Sequence, residues 1–254
     1  MDVQTKATDL AAYTIDNALK EKIVPKRDRW ALGTRLVDTA LEMATRIDTA
    51  NTLRLDIRRF FDSIPHDQLK AMVSKKARCE EFRRRVDEII DSFSDPGIGL
   101  GSQISQLLAI AYLSELDHYI KERLGVRHYL RYSDDIVMIH ESKEFLQRTW
   151  TDVAGRLAAL GLQLNPKSTL HPLKQGVRFL KFRFILTDTG KVVRVLDRRN
   201  IVRIRKRLRK LKNKTTRGKR QWQDLINSFN SWKAHAEQGN SHERIRRLKR
   251  WLES

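Results

Sequence analysis

The chain has 254 residues with 51 Lys or Arg against 31 Asp or Glu, a formal net charge of +20 and a pI near 10.4. Solubility needs far less charge, so the surplus points to a polyanionic partner, nucleic acid ahead of an anionic membrane. The 40% apolar content is ample for a core. The lone cysteine, Cys79, excludes an internal disulfide and a cysteine-rich zinc site. The longest apolar run, Leu107 to Leu113, is too short to span a bilayer. The first residues, MDVQTKATDL, show no basic-then-apolar signal, so a reducing cytoplasm and no membrane partner are expected.

From Thr5 to Lys22, Ala7, Leu10, Ala11, Ile15, Ala18 and Leu19 recur at helical spacing, and Pro25 ends the pattern. A second stripe, Leu32, Leu36, Ala40, Leu41, Met43 and Ala44, follows Asp28 as its N-cap. Together they predict a helical hairpin over residues 1–50. At Asn51 the period becomes two: Leu53, Leu55 and Ile57 alternate with Thr52, Arg54 and Asp56, a strand with an aspartate on its polar face. Phe60 and Phe61 follow, and Pro65 opens a helix through Leu69 and Met72.

A glycine-rich stretch, Asp95 to Gln106, leads into a long helix carrying Ile104, Leu107, Leu108, Ala111, Tyr112, Leu116, Tyr119 and Ile120. Glycines there permit close backbone approach, and a helix start offers free N–H groups to phosphate or bases. A ligand-free helix start would look the same. His128 to His140, HYLRYSDDIVMIH, reads as a hairpin with Tyr132-Ser133-Asp134-Asp135 at its tip. Adjacent carboxylates repel, so a fold that holds them together needs a divalent metal or a strong hydrogen-bond network. By itself such a tip is more often a solvated polar turn. A third carboxylate on a separate strand end, Asp56, would complete the oxygen-rich cage that magnesium prefers.

Leu146 to Leu160 forms a further helix closed by Gly161, and Asn165-Pro166-Lys167-Ser168 makes a turn exposing a lysine. Residues 177–185 and 192–195 read as strands joined through Asp188-Thr189-Gly190. The remainder is helical. Ile201, Ile204, Leu208 and Leu211 form a seam among Arg203, Arg205, Lys206, Arg207, Arg209 and Lys210, a phosphate-tracking surface. Trp222, Leu225, Ile226, Phe229 and Trp232 make a second stripe suited to core packing, and His242 to Trp251 a third.

The order of Asp56 with Phe60-Phe61, the Gly97 to Gln106 loop, YSDD, the Lys167 turn and Phe179-Leu180-Lys181-Phe182 resembles the successive palm motifs of bacterial reverse transcriptases. Gly101 with Ser105-Gln106 further resembles the diversity-generating subgroup and defence-linked relatives. Pro25 to Gly33 resembles the four-helix-bundle accessory proteins found beside that subgroup. The resemblance implies an α+β fold: a polymerase palm over 51–196, an antiparallel sheet with packed helices of the ferredoxin-like or RRM-like kind. A helical hairpin over 1–50 would replace the fingers, and a basic helical thumb would span 197–254.

It implies RNA-directed DNA synthesis by two-metal phosphoryl transfer. Asp56, Asp134, Asp135 and the Ile57 carbonyl would hold two Mg2+ ions, with Mn2+ able to substitute. Lys167 would serve the leaving group, and Phe61, Ser105 and Gln106 would meet the nucleotide. Phe179, Leu180, Lys181, Arg203, Arg207 and Lys210 would hold primer and template. The implied partners are an RNA template, a DNA or RNA primer, deoxynucleoside triphosphates, and an accessory bundle protein or a second copy through the N-terminal hairpin. Gly99 and Lys181 stand where the family has proline and glycine, and only residues 1–55 precede Asp56, short of a fingers region. A palm remnant that binds nucleic acid without synthesis, or a partner-dependent subunit, is therefore the alternative.

Overall fold

A computed structural model describes residues 50–99, 102–179, 182–187 and 192–253. The helical hairpin expected over 1–50 lies outside the described residues apart from Ala50, as do Leu180 and Lys181. The described residues form two compact units, 50–171 and 172–253.

The first unit is built on an antiparallel sheet of order β2-β3-β1-β4, with β1 (Asn51–Asp56), β2 (His128–Tyr132), β3 (Asp135–His140) and β4 (Thr169–Pro172). In β1 the alternation buries Leu53 and Leu55 completely and leaves Arg54 and Asp56 partly exposed. Thr52 departs from the expectation. It is as buried as its neighbour Leu53, so both faces of this inner strand are covered at its start.

Helices pack against the sheet: α1 (Phe60–Ser63), α2 (His66–Lys76), α3 (Glu80–Asp91), α4 (Gln103–Tyr112), α5 (Ser114–His118) and α6 (Lys143–Ala159). Leu53, Leu55, Ile136 and Met138 from the strands share one core with Leu69, Leu108, Leu113, Ile120, Val153 and Leu157. Two features were not anticipated. The charged helix α3 buries only Val86 and Ile90, too thin a stripe to stand out in the sequence. The long helix expected through Ile120 is broken at Leu113 into α4, α5 and a π-helical turn, Tyr119–Arg123.

In the second unit a three-stranded antiparallel sheet, β5 (Val177–Phe179), β6 (Phe182–Leu186) and β7 (Val192–Leu196), is followed by α7 (Arg198–Thr216), α8 (Trp222–Ala236) and α9 (His242–Glu253). Residues 177–185 are not one strand. Val177 faces Phe184 and Phe179 faces Phe182, so the chain reverses between them. Phe182 and Leu196 share their core with Ile204, Leu208, Leu225, Phe229, Trp232 and Leu248, so the boundary expected after residue 196 falls inside this unit. In α8 the buried face is Leu225, Phe229, Trp232 and Ala236, at steps of four, three and four. Trp222 and Ile226, expected in that stripe, are 52% and 47% exposed.

Candidate active site

Asp56 ends β1 and faces Asp135, the first residue of β3, across the ladder. Tyr132 pairs with the same Asp135 on the other side, so Ser133 and Asp134 alone form the hairpin loop. Ser133 sits in the left-handed region at φ 55°, a conformation that non-glycine residues adopt at a cost and that clusters at functional sites. The Ile57 N–H donates to the Asp134 carbonyl (3.1 Å), which fastens the loop to the end of β1.

The Asn165–Ser168 turn is fastened to the same strand end. The Asn165 N–H donates to the Asp56 carbonyl (2.7 Å), the Arg58 N–H to the Gln163 carbonyl (2.8 Å), and the Asp56 N–H to Ser168 Oγ (3.3 Å). Backbone bonds thus bring Asp56, Asp134 and the turn bearing the exposed Lys167 to one corner of the unit. The Lys167 N–H itself donates to Asn165 Oδ1 (3.1 Å), closing the turn.

The three carboxylates have different surroundings. Arg54 grips Asp135 with both arms of its guanidinium, Nε to Oδ1 at 2.9 Å and Nη2 to Oδ2 at 3.0 Å. The same Nη2 lies 4.0 Å from Asp56 Oδ2. Burial pushes the Asp135 carboxyl up to about 6, against the pull of Arg54. The Asp134 carboxyl is also raised, by burial first and then by the charge of Asp56. Arg54 therefore pairs with two of the three acids, and Asp134 has no ion pair among the described residues.

That arrangement fits a divalent cation. Magnesium is usually held by one or two carboxylates, with waters and substrate phosphates completing its shell. Asp56 and Asp134 supply such a pair of hard oxygens, and a bound cation would offset the burial and, after it, the Asp56 charge that raise Asp134. Among the described residues no group of three or more His, Cys, Asp or Glu side chains forms a cage. This agrees with Asp135 being committed to Arg54.

A second layer braces the loop. Arg131 is 2% exposed, and its Nε and Nη2 both donate to the Asp117 carboxylate, the former at 2.7 Å. Its Nη1 donates to the Ser133 carbonyl (3.2 Å) and Nη2 to the Ile110 carbonyl (3.3 Å), tying the loop to α4 and α5. The Tyr129 hydroxyl donates to Asp117 as well. Burial alone would lower the Arg131 pKa, but Asp117 beside it holds it above its ordinary value. Neither Arg54, Arg131 nor Asp117 was singled out from the sequence. The signal was present: Arg131 shares the strand parity of the buried Tyr129, and an arginine on a buried face needs a buried acid.

The glycine loop is held against the segment after β1. The Ile98 N–H donates to the Phe61 carbonyl (2.8 Å), the Gly97 N–H to the Ile64 carbonyl (2.9 Å), and the His66 ring meets the Gly97 carbonyl at 2.7 Å. Gly97 has φ 126°, and a Cβ there would lie 3.1 Å from the Asp62 backbone, so a glycine is required. Phe60 is buried and sets its ring edge-on to the half-buried Phe61 at 5.5 Å. Of the two residues expected near a nucleotide on α4, Gln106 is exposed, whereas Ser105 is fully buried and its Oγ has no partner among the described residues. In the second unit Phe179 is buried, while Arg203, Arg207 and Lys210 are exposed along one side of α7.

The family model described as reverse transcriptase (RNA-dependent DNA polymerase) matches residues 14–184, and so takes in most of the stretch before β1. The "Uncharacterized 91 kDa protein in cob intron" of Schizosaccharomyces pombe is 33% identical over 75 residues, 26% of this chain and 9% of that protein. Telomerase from Candida albicans, solved with the TWJ fragment of telomeric RNA, superposes with a TM-score of 0.54 at 13% identity over 71% of this chain and 38% of its own. Apo telomerase from Candida tropicalis gives 0.49 at 13% identity over 74% and 40%. At 13% identity the likeness to the Candida albicans telomerase is one of fold, and the chain spans less than half the length of each of these proteins. Because the family model covers well over half of the sequence, the chain belongs to the reverse transcriptase (RNA-dependent DNA polymerase) family.

Proposed function

We propose that this chain carries the palm of an RNA-directed DNA polymerase and extends a primer with deoxynucleotides by two-metal phosphoryl transfer. What carries the reading is the backbone hydrogen bonding that holds the Asp134 loop against the end of β1 beside Asp56, with no ion pair to Asp134 among the described residues. Asp56, Asp134 and the Ile57 carbonyl would hold divalent magnesium, which would supply charge neutralisation to phosphoryl transfer. Asp135 contributes through Arg54, which keeps its carboxylate from adding to the repulsion. Lys167 stands ready on its turn to give a proton or charge to the departing pyrophosphate. The Phe61 ring, backed by Phe60, bounds the ribose, and Gln106 reaches the base region. The reversal between Phe179 and Phe182 and the exposed Arg203, Arg207 and Lys210 hold primer and template.

An RNA template is supported by the family and by the telomerase solved with an RNA fragment. A bacterial diversity-generating or defence setting, an accessory bundle protein and a cytoplasmic location belong to this reading on the sequence motifs alone. The test is primer extension on primed RNA with and without Mg2+. The expected result is metal-dependent incorporation that falls about a hundredfold or more in Asp134→Ala, since a metal clamp supplies several kcal/mol to the transition state. Full incorporation by Asp134→Ala would remove that residue from the chemistry. The Arg54–Asp135 pair favours a second reading, a palm that binds nucleic acid without synthesis. RNA binding with no incorporation in either Mg2+ or Mn2+ would select it.

A further inference from the structure

The second unit contains a half-open cavity of about 750 Å³ whose wall is overwhelmingly cationic. Arg178 and Arg183 reach it from the β5–β6 hairpin, and Arg244 from α9. The first turns of α7 add Arg198, Arg199, Arg203 and Lys206. Asp197 is the lone acid in the lining, and it is already engaged: Oδ1 caps the Arg199 N–H at 2.7 Å and Oδ2 lies 3.5 Å from Arg178 Nε. Two more guanidiniums are oriented by backbone. Arg183 donates through Nε and Nη2 to the Gln175 carbonyl (3.1 and 2.6 Å), and Arg244 Nη1 to the Leu196 carbonyl (2.9 Å).

The four cations on α7 have no acidic partner among the described residues. Like charges converging on one concavity from a hairpin and two helices repel each other, and only an anion relieves that cost. A diester backbone carries one charge per step and is matched by a row of cations along a helix, such as Arg203, Arg207 and Lys210. Convergence into a cavity of nucleotide size instead matches a compact group bearing several charges. Half-exposed Val195 and Val202 in the same wall offer an apolar surface to whatever carries that group.

We infer that this cavity is a binding site for a polyphosphate group, borne either on the 5′ end of a nucleic-acid strand or on a free nucleotide or polyphosphate. None of its lining residues belongs to the first unit, and its occupancy is read without synthesis, so its test is independent of the polymerase reading. The test measures fluorescence anisotropy of the full chain with a short RNA labelled at its 3′ end and carrying a 5′-hydroxyl, a 5′-monophosphate or a 5′-triphosphate. Inorganic tripolyphosphate serves as competitor.

The expected order is triphosphate, then monophosphate, then hydroxyl, spanning roughly tenfold or more in Kd, the equivalent of one well-made charged contact. Arg199→Ala with Lys206→Ala, both exposed and without an acidic partner among the described residues, brings the ratio near one. Arg205→Ala with Arg209→Ala, an equal charge loss on α7 outside the cavity, weakens all three RNAs alike and preserves the ratio. Tripolyphosphate that erases the preference before it displaces the 5′-hydroxyl RNA supports the site with a free polyphosphate as source. A preference that tripolyphosphate does not reach supports it with the strand end as source. Equal binding of the three RNAs with no selective competition, or a preference untouched by the Arg199/Lys206 double change, overturns it.

Discussion

Arg54 decides what Asp135 can do. A carboxylate gripped by both arms of a guanidinium at 2.9 and 3.0 Å is neutralised in place, and the free negative charge is left to Asp56 and Asp134. Arg54→Met should cost about 1–3 kcal/mol in urea unfolding, the usual loss when a charged hydrogen-bond partner is removed. Most of it should return in Arg54→Met with Asp135→Asn. A single change with no cost would mean that the pair does not hold Asp135. Arg131 presents the same logic more severely, because it is almost wholly buried. Asp117→Asn strands its charge and should cost about 3–5 kcal/mol by chemical denaturation. Because Arg131 also holds the Ser133 carbonyl, any folded Asp117→Asn protein should lose turnover more than RNA affinity. Arg54 and Asp117 look like ordinary polar positions until their partners, brought in by the fold, are known, whereas the burial of Arg131 was legible from its strand parity with Tyr129 and only the identity of its acid was hidden.

At the scale of elements, legibility follows from how much of each element is buried. Strand β1 was readable because apolar and polar residues alternate along it, and the β2–β3 hairpin because two apolar stretches flank a short polar break, with aspartates punctuating the strand ends. Helix α3 was not, since two buried residues leave no stripe, and the break at Leu113 was masked by apolar residues that continue at helical spacing through it. The reversal after Phe179 was read as part of one strand over 177–185, because apolar residues continue on both sides of it. Trp222 and Ile226 show that an aromatic or branched residue at helical spacing need not face the core. The glycine loop makes a testable element. Gly97→Ala places a Cβ 3.1 Å from the Asp62 backbone and holds alanine at φ 126°, so it should cost about 1–3 kcal/mol, seen as a lower Tm. An unchanged Tm would show that the loop does not depend on the Gly97 conformation.

For the whole molecule the most informative number in the sequence was the net charge of +20, which pointed to a polyanionic partner before any motif was read. Its checkable form is salt dependence. RNA affinity should fall steeply with ionic strength, and Arg203→Ala or Arg207→Ala should each lower the log–log slope by about one while leaving sequence preference unchanged. An unaltered slope would take these residues off the phosphate path. The division into units was less legible, because the β5–β7 sheet is continuous in sequence with the palm motifs yet shares its core with α7–α9.

The tightness of the Ser133-Asp134 connection carries a consequence for how this protein can vary. Side chains on the returning strand alternate between its faces, so one added residue in the loop would exchange the sides occupied by Asp135 and Ile136, taking the acid away from Arg54 and setting a charge among Leu55 and Met138. The loop works as a ruler: the identity of Ser133 is open to change, above all to glycine, but the count of two is not.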